Sequence, residues 1–111
     1  MTSMWDFDDA MGVARLDLVG YDVEAVDGSI GTIDEASDRA GSAYLVVDTG
    51  FWIFGKKRLI PAGVIQRVSE SDGKVYVSLS KDQIKSAPDF KDADRERLDE
   101  TYDTYYSPFG R

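Results

Sequence analysis

Short apolar or alternating runs separated by turn residues fill the middle of the chain. In residues 22–26 apolar and acidic side chains alternate, and Asp27-Gly28-Ser29 leads into a second apolar segment at 30–33. Alternation of this kind is typical of a half-buried strand. An Asp-Gly step is a strong hairpin signal, because a type I′ turn needs positive φ at both central positions. The pattern therefore predicts a first hairpin here.

Two further strand pairs follow along the chain. Residues 44–48 and 58–60 form one pair, and residues 64–69 and 75–79 form another, joined through Ser71-Asp72-Gly73. Six short strands with few long connections favour closure of the sheet, since closure removes its exposed edges. We predict a mainly β fold, a small six-stranded β-barrel.

Two helices are predicted after the strands. Ser80-Lys81-Asp82-Gln83 has the spacing of a capping box, and Pro88 limits that short helix, which we expect to plug one end of the barrel. Leu98, Tyr102 and Tyr105 fall at i, i+4 and i+7, the spacing of one helix face. This C-terminal segment is either a helix packed on the barrel or on a second subunit, or a frayed tail.

Charge and composition exclude several classes of function. The net charge is −8, and residues 1–50 hold 11 acidic but only 2 basic side chains, so general nucleic-acid binding is not expected. The chain contains no cysteine and no histidine, which removes thiolate and imidazole zinc sites, cysteine nucleophiles and histidine bases. Carboxylates are plentiful but follow no metal-loop spacing. We expect a non-enzymatic protein without metal or cofactor.

The lengths of the apolar runs and the N-terminal sequence indicate where in the cell the protein is expected. No run of about 20 apolar residues is present, so no membrane span is predicted. The start, MTSMWDFDDA, is acidic where a signal peptide is basic and then apolar. A cytoplasmic protein is the simplest interpretation. Trp5, Phe7 and Met11 could form a short segment that docks on a partner.

Five segments, in this order, resemble the PRC-barrel domain family. They are Leu18-Val19-Gly20-Tyr21-Asp22-Val23, Asp27-Gly28-Ser29-Ile30-Gly31-Thr32-Ile33, Tyr44-Leu45-Val46-Val47-Asp48-Thr49-Gly50, Leu59-Ile60-Pro61-Ala62 and Leu79-Ser80-Lys81-Asp82-Gln83-Ile84-Lys85-Ser86-Ala87-Pro88. The family includes the cytoplasmic part of the photosynthetic reaction-centre H subunit, the C-terminal domain of the ribosome maturation factor RimM, and many small stand-alone bacterial proteins. This chain lacks the transmembrane helix of the first and the N-terminal domain of the second, which implies the stand-alone class.

The resemblance implies a domain layout and a kind of role. Residues 16–90 would form the PRC-type barrel, with an acidic and aromatic segment at 1–15 and a helical or flexible tail at 91–111. The common thread of the stand-alone class is protein–protein contact without catalysis. We therefore predict a protein-interaction or assembly module.

The apolar connection between the middle strands is the first candidate contact. Phe51, Trp52, Ile53 and Phe54 are consecutive, so they cannot all face one side of a strand. They either fold back on the barrel or are covered by a partner, and aromatic residues are enriched at interface anchors. We favour homodimerisation through this edge.

A dense basic cluster, Lys56-Lys57-Arg58, follows the apolar residues. It is either a solvated flank that discourages edge-to-edge pairing or a contact for an acidic surface or for RNA phosphates. The alternative function is thus an accessory factor in RNA or ribosome assembly that uses the basic hairpin 51–58. The predicted interface residues are Phe51, Trp52, Phe54, Lys56, Lys57, Arg58, Tyr102 and Tyr105, and the predicted partners are a second copy or another protein.

Overall fold

The elements follow one another along the chain much as the pattern predicts. The computed structural model describes residues 5, 17–37, 43–50, 57–91 and 100–109. Its strands are β1 (Asp22–Ala25), β2 (Gly28–Ser37), β3 (Tyr44–Asp48), β4 (Lys57–Pro61), β5 (Ile65–Ser69) and β6 (Lys74–Val77). Its helices are α1 (Lys81–Lys85) and α2 (Glu100–Tyr106), and single 3₁₀ turns lie at Ala62–Val64 and Ser107–Phe109.

All six strands form one sheet with the order β4-β3-β2-β1-β6-β5. The predicted pairs β1–β2, β3–β4 and β5–β6 are antiparallel neighbours, and so are β2 and β3. β1 and β6 run parallel and join the two parts of the sheet. The mainly β fold, the strand count and the predicted hairpins are therefore confirmed.

The predicted closure of the sheet into a barrel is wrong. β4 and β5 lie at opposite ends of the strand order, and the described residues show no pairing between them. Instead, Arg58 of β4 forms an antiparallel bridge with Asp89, and the Phe90 N–H donates to the Lys57 carbonyl at 3.3 Å. The segment after α1 thus pairs with backbone groups at the edge of β4. In a closed barrel those groups would have paired with β5.

The first hairpin turns one step earlier than its Asp-Gly signal predicts. Ala25 pairs with Gly28, so the two-residue loop is Val26-Asp27 and Gly28 belongs to β2 with a φ of 139°. The Asp27 carboxylate accepts a hydrogen bond from the Lys81 N–H at 2.9 Å. The aspartate therefore supports the start of α1 as well as the hairpin.

β3 and β4 are buried on both faces. Every residue from Tyr44 to Val47 and from Arg58 to Pro61 is buried, which suits their almost continuous apolar sequences. β1 and β6 bury alternate positions. The largest fully buried side chains are Leu18, Val23, Ile30, Ile33, Leu45, Leu59, Ile60, Leu79, Ile84, Tyr102 and Tyr106.

Both predicted helices are present. Ser80 and Gln83 form the capping box: the Gln83 N–H donates to Ser80 Oγ at 3.2 Å, and the Ser80 N–H donates to Gln83 Oε1 at 2.8 Å. α2 packs on the core through two buried tyrosines, so the packed helix rather than the frayed tail is correct for 100–106. Neither helix within the described ranges is long and apolar enough to cross a membrane.

Candidate interaction surface

The base of the β3–β4 hairpin is firmly held. Asp48 and Lys57 form its last strand pair, and the Asp48 carboxylate accepts a hydrogen bond from the Gly50 N–H at 2.9 Å. Gly50 has a φ of 65°, which glycine adopts without steric cost, and Thr49 is buried. These contacts hold residues 48–50 at the end of β3. Four of the predicted interface residues, Phe51, Trp52, Phe54 and Lys56, lie outside the described residues.

Lys57 forms an ion pair within the chain. Its ammonium group reaches across β3 to the carboxylate of Asp34 on β2, and both side chains are partly exposed. The hydrogen bond that Lys57 donates to the Asp34 carboxylate raises the pKa of Lys57, and the nearby charges of Asp34, Glu35 and Asp48 act in the same direction. Lys57 thus lies among carboxylates of its own sheet.

A row of polar side chains crosses the outer face of the sheet at this level. Successive cross-strand partners are Lys57, Asp48, Thr32, Asp22 and Lys74, which places them on one face of five neighbouring strands. Thr32 Oγ1 donates to the Asp22 carboxylate at 3.2 Å. Both lysines of the row have acidic partners, so the middle of this face carries negative charge.

At the far end of the row, Lys74 repeats the arrangement found at Lys57. Its ammonium lies 3.2 Å from the carboxylate of Glu24, and the hydrogen bond between them raises the pKa of Lys74. Exposed pairs of this kind contribute little to stability, because water and salt screen them. Their main effect is on the surface, where they neutralise the positive charge of the lysines.

Arg58 lies on the opposite face of β4 and is buried, with 5% of its surface exposed. Its cross-strand partner is Val47 of β3, and its guanidinium forms an ion pair with Asp89. Arg58 Nε donates to the Ile84 carbonyl at 3.1 Å, and Nη2 donates to the Lys85 carbonyl at 3.1 Å. The guanidinium therefore binds the carboxyl end of α1 and is not displayed on the surface, as an interface role would require.

The tyrosines of α2 converge on the same region. Tyr102 is buried and its hydroxyl donates to the Asp89 carbonyl at 2.7 Å, while the half-buried Tyr105 donates to the Gln83 carbonyl. Burial raises the pKa of Tyr105, and the charge of Arg58 partly offsets that rise. The predicted interface residues Arg58, Tyr102 and Tyr105 are thus brought together, but around the backbone of 83–89 inside the fold.

Sequence reasoning missed two residues of this cluster, Asp89 and Tyr106. Tyr106 is fully buried, and its hydroxyl donates to the Leu59 carbonyl of β4 at 2.6 Å. Burial raises its pKa far above the ordinary tyrosine value. The signal that could have pointed here is Arg58 itself, a charged residue inside an apolar strand, because a buried charge requires a partner.

An open cleft of about 500 Å³ lies between the end of α1 and α2. Its lining residues are Ser86, Pro88, Glu100, Thr101, Thr104 and Tyr105. The cleft has one carboxylate, and its tyrosine hydroxyl is already bonded to Gln83. Within the described ranges no three carboxylates come together to hold a metal ion. The arrangement offers a shallow surface for contact and no assembled acid–base pair.

Comparison with known proteins leaves the family open. No family model matches the chain, and no curated protein matches it. Among solved structures the chain is similar to a Pseudomonas aeruginosa protein named RimM, for which 16S ribosomal RNA processing is suggested. The sequence identity is 20%, the TM-score is 0.49, and the match covers 59% of this chain and 42% of that one. The chain thus matches less than half the length of that protein, and a likeness at this level carries no functional conclusion.

Proposed function

We propose that the chain is a non-catalytic protein-interaction module of PRC-barrel type that self-associates through the aromatic segment 51–54. The observation that supports this best is the rigid base from which the segment departs. β3 and β4 are buried on both faces, and their last pair, Asp48 and Lys57, is fixed by side-chain bonds to Gly50 and Asp34. A segment whose flanking residues are fixed loses less conformational entropy on binding than one with free ends.

The composition of the segment suits an interface. Phe51, Trp52 and Phe54 follow the turn at 48–50 within four residues. Tryptophan and other large aromatic side chains bury much apolar area and commonly dominate binding energy. A second copy supplies an equivalent apolar surface, and in a two-fold interface the same patch meets itself.

The alternative, an accessory factor in RNA or ribosome assembly that uses the basic hairpin 51–58, receives less support from the described contacts. Lys57 is paired with Asp34, and Arg58 is buried against Asp89. Both charges are neutralised within the fold, so they are poorly placed to replace counterions on a phosphate backbone. The carboxylate of Asp48, the cross-strand partner of Lys57, would repel phosphate further.

Sedimentation equilibrium of the intact chain and of the Trp52→Ala variant tests the proposal. Trp52→Ala should weaken self-association at least about tenfold, since loss of an interface anchor costs 2 kcal/mol or more. Val26→Ala is the matched control, because Val26 is an exposed apolar residue at the β1–β2 turn. An intact chain that stays monomeric, or a dimer that both variants leave unchanged, would contradict the proposal.

A further inference from the structure

Trp5 contacts the folded domain in three ways. Its indole N–H donates to the carboxylate of Asp103 on α2 at 3.0 Å. Its backbone carbonyl accepts a hydrogen bond from the Ala43 N–H at 2.7 Å. Its ring is partly buried against the hydrophobic core. A single residue of the N-terminal segment thus makes a polar side-chain bond, a backbone bond and an apolar contact.

The elements that carry the receiving groups also make contacts that do not involve Trp5. Ala43 is buried directly before β3, and its carbonyl accepts a hydrogen bond from the Ala62 N–H at 3.1 Å. Asp103 lies on α2 between Tyr102 and Tyr106, whose hydroxyls are bonded to Asp89 and Leu59. The site therefore has a backbone donor directly before β3, a carboxylate acceptor on the packed helix α2 and an apolar floor.

The groups through which Trp5 makes these contacts are not specific to this chain. An indole N–H, a backbone carbonyl and an aromatic ring are available from any extended segment that contains a tryptophan. None of the three contacts depends on the segment being joined to the domain. Aromatic anchors with one polar end are common where a peptide binds a folded domain, because they combine apolar burial with an oriented hydrogen bond.

We propose that Ala43, Asp103 and the core surface that Trp5 contacts form a docking site for a tryptophan-bearing peptide segment of a partner protein. The chain's own Trp5 fills this site in cis and so competes with the partner. Covalent attachment gives Trp5 an effective concentration in the millimolar range, which a partner must exceed. The inference is independent of the proposed self-association, since neither Trp5 nor Asp103 belongs to the β3–β4 hairpin.

The test measures binding of a synthetic peptide of residues 1–12 to the full-length chain by fluorescence anisotropy. The peptide should bind the Trp5→Ala chain at least about tenfold more tightly than the intact chain, because the cis competitor is gone. Adding Asp103→Ala to the Trp5→Ala chain should reduce that binding about tenfold, since a hydrogen bond to a charged acceptor is lost. Glu100→Ala, the other acidic residue in the first turn of α2, is the matched control and should leave binding unchanged.

A peptide with alanine at position 5 should not bind any of these chains. If the Trp5→Ala chain does not fold, Trp5→Phe replaces it with the same expected direction, because loss of the indole N–H alone weakens the cis contact. Absence of peptide binding to the folded variant at millimolar concentration would overturn the proposal. Equal binding with and without Asp103 would overturn it as well.

Discussion

The guanidinium of Arg58 and the carboxylate of Asp89 form an ion pair that attaches β4 to the segment after α1. The same arginine bonds two carbonyls at the end of α1, and the Asp89 carbonyl accepts a hydrogen bond from Tyr102. One buried charge thus joins the sheet to both helices. A cluster of this kind is costly to break, because each partner it loses stays desolvated.

Arg58→Ala should therefore destabilise the protein strongly. We expect a loss of about 2–3 kcal/mol, less than for a fully buried pair because the Asp89 side chain is 43% exposed. Lys57→Ala is the matched control on the same strand and should cost less than about 1 kcal/mol, since its ion pair is partly exposed. Urea denaturation of the two variants measures the difference. Equal losses would show that Arg58 is not the joining element.

The stability of the protein at alkaline pH should depend on the buried Tyr106 of α2. Burial raises the pKa of Tyr106 in the folded state, whereas the unfolded chain ionises near pH 10. Stability should therefore be constant up to about pH 9 and fall above about pH 10, where the unfolded state binds fewer protons than the folded state.

Tyr106→Phe separates that effect from those of other groups. It should cost about 1 kcal/mol at neutral pH through the lost bond to Leu59, and its stability should fall less steeply above pH 10. Lys57 and Lys74, whose pKa values are also raised, contribute equally to both chains. Urea midpoints measured from pH 7 to about pH 11 give the comparison. Parallel curves for the two chains would contradict the assignment to Tyr106.

Gly31 should not tolerate a side chain. A Cβ at this position would lie 2.1 Å from the Asp48 carbonyl oxygen, and the φ of 153° is itself unfavourable for other residues. We expect Gly31→Ala to cost more than about 3 kcal/mol or to prevent folding, because the obstacle is backbone of the neighbouring strand. Gly73→Ala is the control: its φ is 64° in open space, so it should cost about 1–2 kcal/mol. Thermal denaturation of both variants decides this, and similar losses would contradict it.

The sequence predicted those features that depend on residues close together in the chain. The strand pairs and the capping box of Ser80 and Gln83 follow from local spacing, and the structure confirms them. Successive residues of a strand point to opposite faces, so Lys57 and Arg58 lie on opposite faces of β4. The sequence could not show that Arg58 would be buried, because its partner Asp89 lies 31 residues further along and meets it only in the fold.

The same limit explains the incorrect barrel closure. Counting strands shows that β4 and β5 are free to meet, but the bridge to Asp89 uses the edge of β4 first. The earlier turn at Val26-Asp27 reflects a similar conflict, since Asp27 also bonds the Lys81 N–H at the start of α1. In both places a contact between distant segments outweighed a local preference. The candidate contact at 51–54 stays a prediction from composition, placed at the end of a hairpin whose base the structure describes.

The salt dependence of self-association tests the central proposal most directly. The dimer dissociation constant of the intact chain would be measured by sedimentation equilibrium from about 0.05 M to about 0.5 M salt, a range over which exposed charge contacts are progressively screened. An interface built on Phe51, Trp52 and Phe54 predicts a constant that changes less than about threefold, since apolar burial is not screened. A monomer at every concentration, or an association that weakens steeply with salt as phosphate or ion-pair contacts do, would contradict it.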